Sequence, residues 1–226
     1  MKIKHALIPL AFAALGGSAI AQQPAPAGAP PAPQPQGPMS FFVTSVGKGD
    51  GANLGGLAGA DAHCKTLATA VGRGNVEWRA YLSAAAANGQ PQVNARDRIG
   101  KGPWYNAKGV PIAWNIDDLH LDRNNIRKPT ALNEKGEEVN GVGNTPNTHD
   151  MLTGSDSMGR LVPGNAPNTT CNNWTSNGAG STMLGHHDRL GGANASWNSV
   201  HASRSCSQPD LVATGGAGLF YCFAVQ

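Results

Sequence analysis

Charged side chains are scarce in this sequence: Asp, Glu, Lys and Arg make up only 14% of the 226 residues, and the formal net charge is +3. A charge so small excludes the strongly basic surface on which nucleic-acid binding depends. Long apolar runs are also lacking beyond the N-terminus, and no later stretch is long enough to cross a bilayer. We therefore expect neither nucleic acid as a partner nor a transmembrane segment.

Sequence motifs that carry common catalytic chemistries are absent as well. The sequence contains no G-x-S-x-G nucleophile elbow, no H-E-x-x-H zinc motif and no P-loop. Aspartates are sparse and scattered in the loop-rich part, so no glycosidase carboxylate pair is visible. On these grounds we predict that the protein is not an enzyme.

The N-terminus has the pattern of an export signal. Lys2 and Lys4 precede an apolar stretch, and Ala19 and Ala21 then form an A-x-A arrangement, which is typical of a secretory signal peptide. An uncharged segment rich in Pro, Ala and Gln follows, and such a composition favours an extended linker without a core. We predict a secreted or periplasmic protein with a signal peptide over 1–21, a disordered linker over 22–38 and one folded domain over 39–226.

The four cysteines are even in number, and export would place them in an oxidising compartment where disulfides form. Cys64 falls on the inward face of a helix predicted from apolar spacing, and Cys222 lies in the terminal apolar run "LFYCFAVQ". A bridge between them would tie the start of the domain to its end. Cys171 and Cys206 would then close a loop-rich segment with few apolar residues, so we predict this pairing.

Short strands are predicted between the cysteines. Three segments have the apolar or alternating pattern of a single short strand, and two further segments have the pattern of a strand–turn–strand unit. They are "SFFVTSV" (40–46), expected to pair with the terminal strand, "VEWRAYLS" (76–83), "WYNAKGVPIA" (104–113), "TALNEKGEEVN" (130–140) and "HDMLTGSD" (149–156). Helix and strands together predict an α+β fold.

The order of "WRAYLS", "TGSD", "CNNW", "SC" and "LFYCF" resembles the endostatin-like branch of the C-type-lectin fold, including secreted bacterial members. The resemblance covers roughly residues 41–225 and implies short, mostly antiparallel strands, one or two helices and a long disulfide-closed loop region. The family's cysteines pair first with fourth and second with third. C-type lectins bind sugars, often through calcium, and endostatins bind heparan sulfate and matrix proteins, so the resemblance implies recognition.

The calcium-binding motifs of such lectins match poorly here. The "QPD" triplet at 208–210 follows the third cysteine, in the wrong loop, and "WNS" at 197–199 has serine where a calcium site needs aspartate. We therefore predict no cofactor, with a calcium-dependent site as the less favoured alternative.

A second metal hypothesis concerns the "HHD" triplet. His186, His187 and Asp188 together with His201 could ligate zinc or copper if their loop folds back. Because adjacent residues rarely both reach one ion, solvated or capping histidines are the favoured interpretation.

The segment around the second and third cysteines carries the aromatic and amide side chains that hold sugars without a metal. The candidate ligand-binding residues are Asn172, Asn173, Trp174, His187, Asp188, Asn194, Trp197 and Asn198. The tryptophans could instead form the core of the loop, which is the favoured role for Trp174. We predict a non-catalytic lectin-like module that binds carbohydrate or glycan-bearing surfaces. An envelope adhesin or structural protein that binds extracellular proteins is the alternative.

Overall fold

The computed structural model describes residues 36–164, 169–192 and 195–225. The predicted signal peptide and most of the predicted linker lie outside the described residues. Within these described ranges, no helix has the length and apolar character that crossing a membrane requires.

The described chain forms short strands and helices in alternation. The strands are β1 (Phe41–Val43), β2 (Trp78–Ala80), β3 (Trp104–Tyr105), β4 (Pro111–Ala113), β5 (Asp150–Leu152), β6 (Met183–His186), β7 (His201–Ala202) and β8 (Gly216–Ala224). The helices are α1 (Gly56–Ala70), α2 (Ile116–His120), α3 (Cys171–Trp174) and α4 (Gln208–Ala213), with a 3₁₀ turn at Ala95–Asp97. The predicted α+β fold is confirmed at this level.

The terminal strand β8 is the centre of the main sheet. The sheet has the order β1–β8–β5–β6–β7, and β2 also pairs with β8. The predicted pairing of β1 with β8 is present. The pairings of β8 with β1 and β2 are antiparallel, and its pairing with β5 is parallel. Strand β8 is buried along almost its whole length because chain packs on both of its faces.

Alternation along β8 divides its side chains between two cores. Phe220 and Cys222 face a core that contains α1. Tyr221 and Phe223 face a second core that contains Trp104 and other aromatic side chains. The unbroken apolar run at the end of the sequence is therefore explained by burial on both faces of the sheet.

Both predicted disulfides are confirmed. Cys64 of α1 is bonded to Cys222 of β8, and Cys171 is bonded to Cys206. All four cysteine side chains are fully buried. The first bridge ties the helix to the central strand, and the second closes the segment that contains β6 and β7.

One of the two predicted strand–turn–strand units is present and the other is not. Strands β3 and β4 pair antiparallel, as predicted. The prediction of two strands in the 130–140 segment is wrong, because only an isolated bridge joins Leu132 to Glu138. The Asn133 side-chain oxygen accepts hydrogen bonds from the N–H groups of Lys135 and Glu137, so this side chain takes up backbone donors that would otherwise be available to a ladder.

Candidate metal centre

The "CNNW" segment forms a left-handed turn. Residues 171 to 174 have φ angles of 49°, 54°, 53° and 66°, a conformation that costs an L-amino acid about 1–2 kcal/mol per residue. The Cys171–Cys206 bridge anchors one end of the turn. The Asn173 amide accepts from the Ala85 N–H at 2.8 Å and donates to the Ala85 carbonyl at 2.9 Å. Asn173 thus ties the turn to the chain after β2, whereas Asn172 is exposed.

Three other predicted sugar-binding residues are buried. Nε1 of Trp174 donates to the Ser83 carbonyl at 2.8 Å, and Nε1 of Trp197 donates to the Leu119 carbonyl at 3.0 Å. Asn198 donates to the Tyr81 hydroxyl at 3.0 Å. These side chains hold the loop region to the sheet. Sugar contact through them stays a prediction, and their burial does not support it. Asn194 lies outside the described residues.

The two remaining candidates, His187 and Asp188, are also buried. His187 lies in the turn that follows β6, and its Nε2 is 3.1 Å from the Asn140 carbonyl. Burial lowers the pKa of His187 and favours its neutral form. Asp188 accepts a hydrogen bond from the Val142 N–H at 2.7 Å and therefore fixes the 141–142 loop. The expectation that the "HHD" histidines are solvated is wrong, because both are buried; His187 instead contacts a backbone carbonyl.

A cluster of histidines forms instead around Asp150. The antiparallel register of β5 and β6 places Asp150 directly opposite His186, so that both side chains project from the same face of the sheet. His149 precedes Asp150, and its ring stacks on that of His186 with centroids 3.9 Å apart. His201 enters from β7, the neighbour of β6. Three adjacent strands thus bring together residues that are far apart in sequence.

The donor atoms of this cluster converge on Oδ1 of Asp150. That oxygen lies 2.9 Å from Nε2 of His186, 3.4 Å from Nε2 of His149 and 3.5 Å from Nε2 of His201. The Nε2 atoms of His186 and His201 are 3.0 Å apart. In a tetrahedral zinc site with bonds of about 2.0–2.1 Å, neighbouring ligand atoms are about 3.3–3.4 Å apart. The four observed separations range from 2.9 to 3.5 Å and so lie on both sides of this spacing.

The carboxyl group of Asp150 lacks hydrogen-bond donors. Its side chain is 1% exposed, and neither oxygen has a hydrogen-bond partner. The 2.9 Å contact with His186 is short enough in distance, but it does not have the direction of a hydrogen bond. A buried carboxyl group without donors is costly, and buried groups of this kind are normally paired or bound to a metal. Asp150 therefore needs a positive partner, which a bound cation or a protonated imidazole of the cluster supplies.

Asp188 orients the ring of His149 through the ring nitrogen that does not face Asp150. Oδ1 of Asp188 lies 3.3 Å from Nδ1 of His149, which leaves Nε2 of His149 facing Asp150. Burial lowers the pKa of His149, but the hydrogen bond to Asp188 and the charges of Asp150 and Asp188 outweigh it, so the pKa is raised. Burial raises the pKa of Asp188, yet the bonds from His149 and Val142 hold it well below its ordinary value. A carboxylate behind a ligating imidazole is a common support in metal sites.

His149, Asp150 and His186 each offer a donor atom, and these atoms all lie within 4.8 Å of one another. Nitrogen-rich sets with one carboxylate suit zinc or copper, whereas calcium takes oxygen ligands. Sequence reasoning found His186 and His201 but missed His149 and Asp150. The signal that could have indicated these two residues is that His149–Asp150 is a second His–Asp pair, at the start of the predicted strand 149–156.

Comparison with models of known protein families gives no match for this chain. Comparison with curated proteins likewise gives no match.

Proposed function

We propose that this protein binds a divalent transition metal ion, zinc or copper, through His149, Asp150, His186 and His201. The observation that carries the proposal is the Asp150 carboxyl group, which is buried without a hydrogen-bond donor while three imidazole nitrogens lie within 3.5 Å of it. A cation between these atoms supplies the partner that Asp150 lacks. The facing nitrogens of His186 and His201 would both coordinate this cation.

The test is a direct binding measurement on the full chain without a histidine tag. We expect equilibrium dialysis against zinc, followed by elemental analysis, to give one ion per chain, and excess calcium not to displace it. Asp150→Asn and His186→Gln keep the side-chain size but remove a ligand, and each is expected to weaken binding at least 100-fold.

Matched controls are Asp122→Asn, at an exposed carboxylate, and His63→Gln, at a half-buried histidine of α1. Both controls are expected to bind zinc as the unaltered chain does. Retention of full zinc affinity by Asp150→Asn, with its fold intact, would overturn the proposal.

We also propose that the domain is exported and has an endostatin-like C-type-lectin fold. Two disulfides support an oxidising compartment. The pairing of a first helix with the terminal strand through Cys64 and Cys222 supports the fold assignment, as does the second bridge inside that ring. N-terminal sequencing of the protein after export tests the predicted cleavage after Ala21.

Carbohydrate recognition is a second candidate, at a surface other than the one predicted. Trp114 is 46% exposed, and its ring meets the edge of Tyr105 at a centroid distance of 6.3 Å. Beside it is a cleft of about 310 Å³, also lined by Arg123 and Asn125. An exposed aromatic face flanked by guanidinium and amide groups suits a sugar ring, which needs both stacking and hydrogen bonds.

A glycan array with and without chelator tests this second function. Binding is expected to be independent of chelator and lost in Trp114→Ala, but kept in Leu190→Ala, which truncates another exposed apolar side chain. Silence across the array together with binding to matrix proteins would favour an adhesin that recognises proteins.

A further inference from the structure

The four metal-ligand candidates differ in their access to solvent. The side chains of His149, Asp150 and His186 are 10%, 1% and 6% exposed, whereas that of His201 is 40% exposed. Three of the four side chains are thus enclosed, and the fourth, that of His201, is partly open to solvent. Any ion held here can be reached from the solvent on the His201 side.

His201 is also held by fewer contacts than the buried His149. It lies on β7, which has two residues and is the last strand in the sheet order. Apart from the cluster itself, the one polar contact that its ring makes with the described residues is between Nδ1 and the Ala202 carbonyl at 3.1 Å. His149, by contrast, is held by Asp188 and by stacking on His186. An edge ligand with one local contact can rotate away at a smaller cost than the buried ligands.

We infer that the site exchanges its metal with other molecules through His201, which makes it a transfer site rather than a closed structural one. The inference rests on the proposed metal-binding function. The incoming molecule is a chelator with nitrogen, oxygen or sulfur donors. One of its donors forms a bond to the ion as the bond between the ion and Nε2 of His201 breaks, and the ion keeps its oxidation state. Nε2 of His201 then accepts a hydrogen bond from water, and the remaining bonds to the ion transfer one by one to the chelator.

This route differs in its kinetics from that of a structural site. In a structural zinc site the fold holds all four protein ligands in place, so the ion is released when the fold opens. Release from such a site has the rate of local unfolding and does not depend on the acceptor. Exchange through His201 instead requires an encounter with the acceptor, so its rate rises with acceptor concentration.

The experiment mixes the zinc-loaded full chain with the chromophoric chelator pyridylazoresorcinol and follows absorbance over time. We expect the transfer rate to rise linearly with chelator concentration. His201→Ala is expected to bind zinc at least tenfold more weakly and to transfer it at least tenfold faster. His63→Ala, at a histidine outside the cluster, is expected to match the unaltered chain in both respects.

A transfer rate that is independent of chelator concentration and equal to the unfolding rate would overturn the inference while leaving metal binding intact. Absence of bound zinc at the start would instead overturn the proposed function. Since His201→Ala could disturb β7, its thermal unfolding is measured in parallel, and the concentration dependence in the unaltered chain decides the question without any variant.

Discussion

The hydroxyl oxygen of Tyr81 lies 2.7 Å from Nε2 of His120. Nδ1 of His120 lies 2.8 Å from the Ile116 carbonyl, so Nδ1 carries the proton and Nε2 accepts from the tyrosine. Burial lowers the pKa of His120 to about 4, and the positive charge of Arg96 contributes in the same direction. The folded protein therefore holds this imidazole neutral, inside a hydrogen-bond network that continues to Asn198.

This arrangement predicts a loss of stability in mild acid. In the unfolded chain His120 binds a proton at its ordinary pKa of about 6.5, whereas in the folded chain it does so only near 4. Because the unfolded state then binds more protons, the free energy of unfolding is expected to fall from about pH 6.5 to about pH 4, by on the order of 2–3 kcal/mol. Urea denaturation at a series of pH values measures the slope.

Replacing His120 by Gln isolates the contribution of this ring. The variant is expected to be less stable at neutral pH but to show a shallower slope between pH 6.5 and pH 4. His63→Gln is the control and should keep the slope. An unchanged slope in His120→Gln would assign the acid sensitivity to other groups.

Asp150→Asn is expected to reverse its effect on stability when metal is added. In chelator, the amide removes a buried carboxyl group that has no donor, so the variant should be more stable than the unaltered chain by about 1 kcal/mol or more. In zinc at 100 times its Kd, the unaltered chain gains about 2.7 kcal/mol, and the order reverses. Urea denaturation in each condition measures both differences. A less stable Asp150→Asn variant in chelator would contradict the interpretation of Asp150 as an unpaired group.

The left-handed turn predicts that position 172 tolerates glycine and rejects β-branched residues. Asn172 is exposed and has a φ of 54°, a conformation that glycine adopts freely and valine does not. We expect Asn172→Gly to remain within about 0.5 kcal/mol of the unaltered chain and Asn172→Val to lose about 1–2 kcal/mol or more. Thermal unfolding of the two variants makes the comparison. Equal stability would mean that the turn is not left-handed in solution.

The two disulfides are expected to differ in their contributions. The sequence separations are 158 residues for Cys64–Cys222 and 35 residues for Cys171–Cys206. The chain-entropy relation gives about 5 kcal/mol for the longer loop and about 4 kcal/mol for the shorter one. We therefore expect the paired Cys64→Ala, Cys222→Ala variant to be less stable than the paired Cys171→Ala, Cys206→Ala variant, as measured by denaturation without reductant. The reverse order would show that native packing of the loop segment outweighs the entropy of closure.

Much of the framework could be predicted because local patterns specify it. Apolar spacing places Cys64 on the inner face of α1, and the unbroken run around Cys222 indicates a buried strand. The parity of the cysteines then leaves few pairings. The 130–140 unit failed as a prediction because the side chain of Asn133 takes up backbone donors, a choice that strand patterns do not reveal.

The candidate site depended on information of another kind. The predicted sugar residues Trp174, Trp197 and Asn198 are turned inward because a loop region poor in apolar residues uses them as its core. His187 was grouped with His186, but the strand ends at His186, and the ring of His187 contacts the Asn140 carbonyl while that of His186 contacts Asp150. Neither outcome follows from composition, since the same residue types serve surfaces and interiors.

Residue pattern alone was enough for the secondary-structure class, the helix and the terminal strand, because each depends on neighbours in the chain. The cysteine partners were chosen among three possible pairings because Cys64 and Cys222 both fall on inward-facing positions. The meeting of His149 and Asp150 with His186 and His201 was decided only by the tertiary structure. A shift of one residue in the β5–β6 register would turn Asp150 away from His186, and because more than thirty residues separate the paired positions, no local pattern in the chain specifies that register.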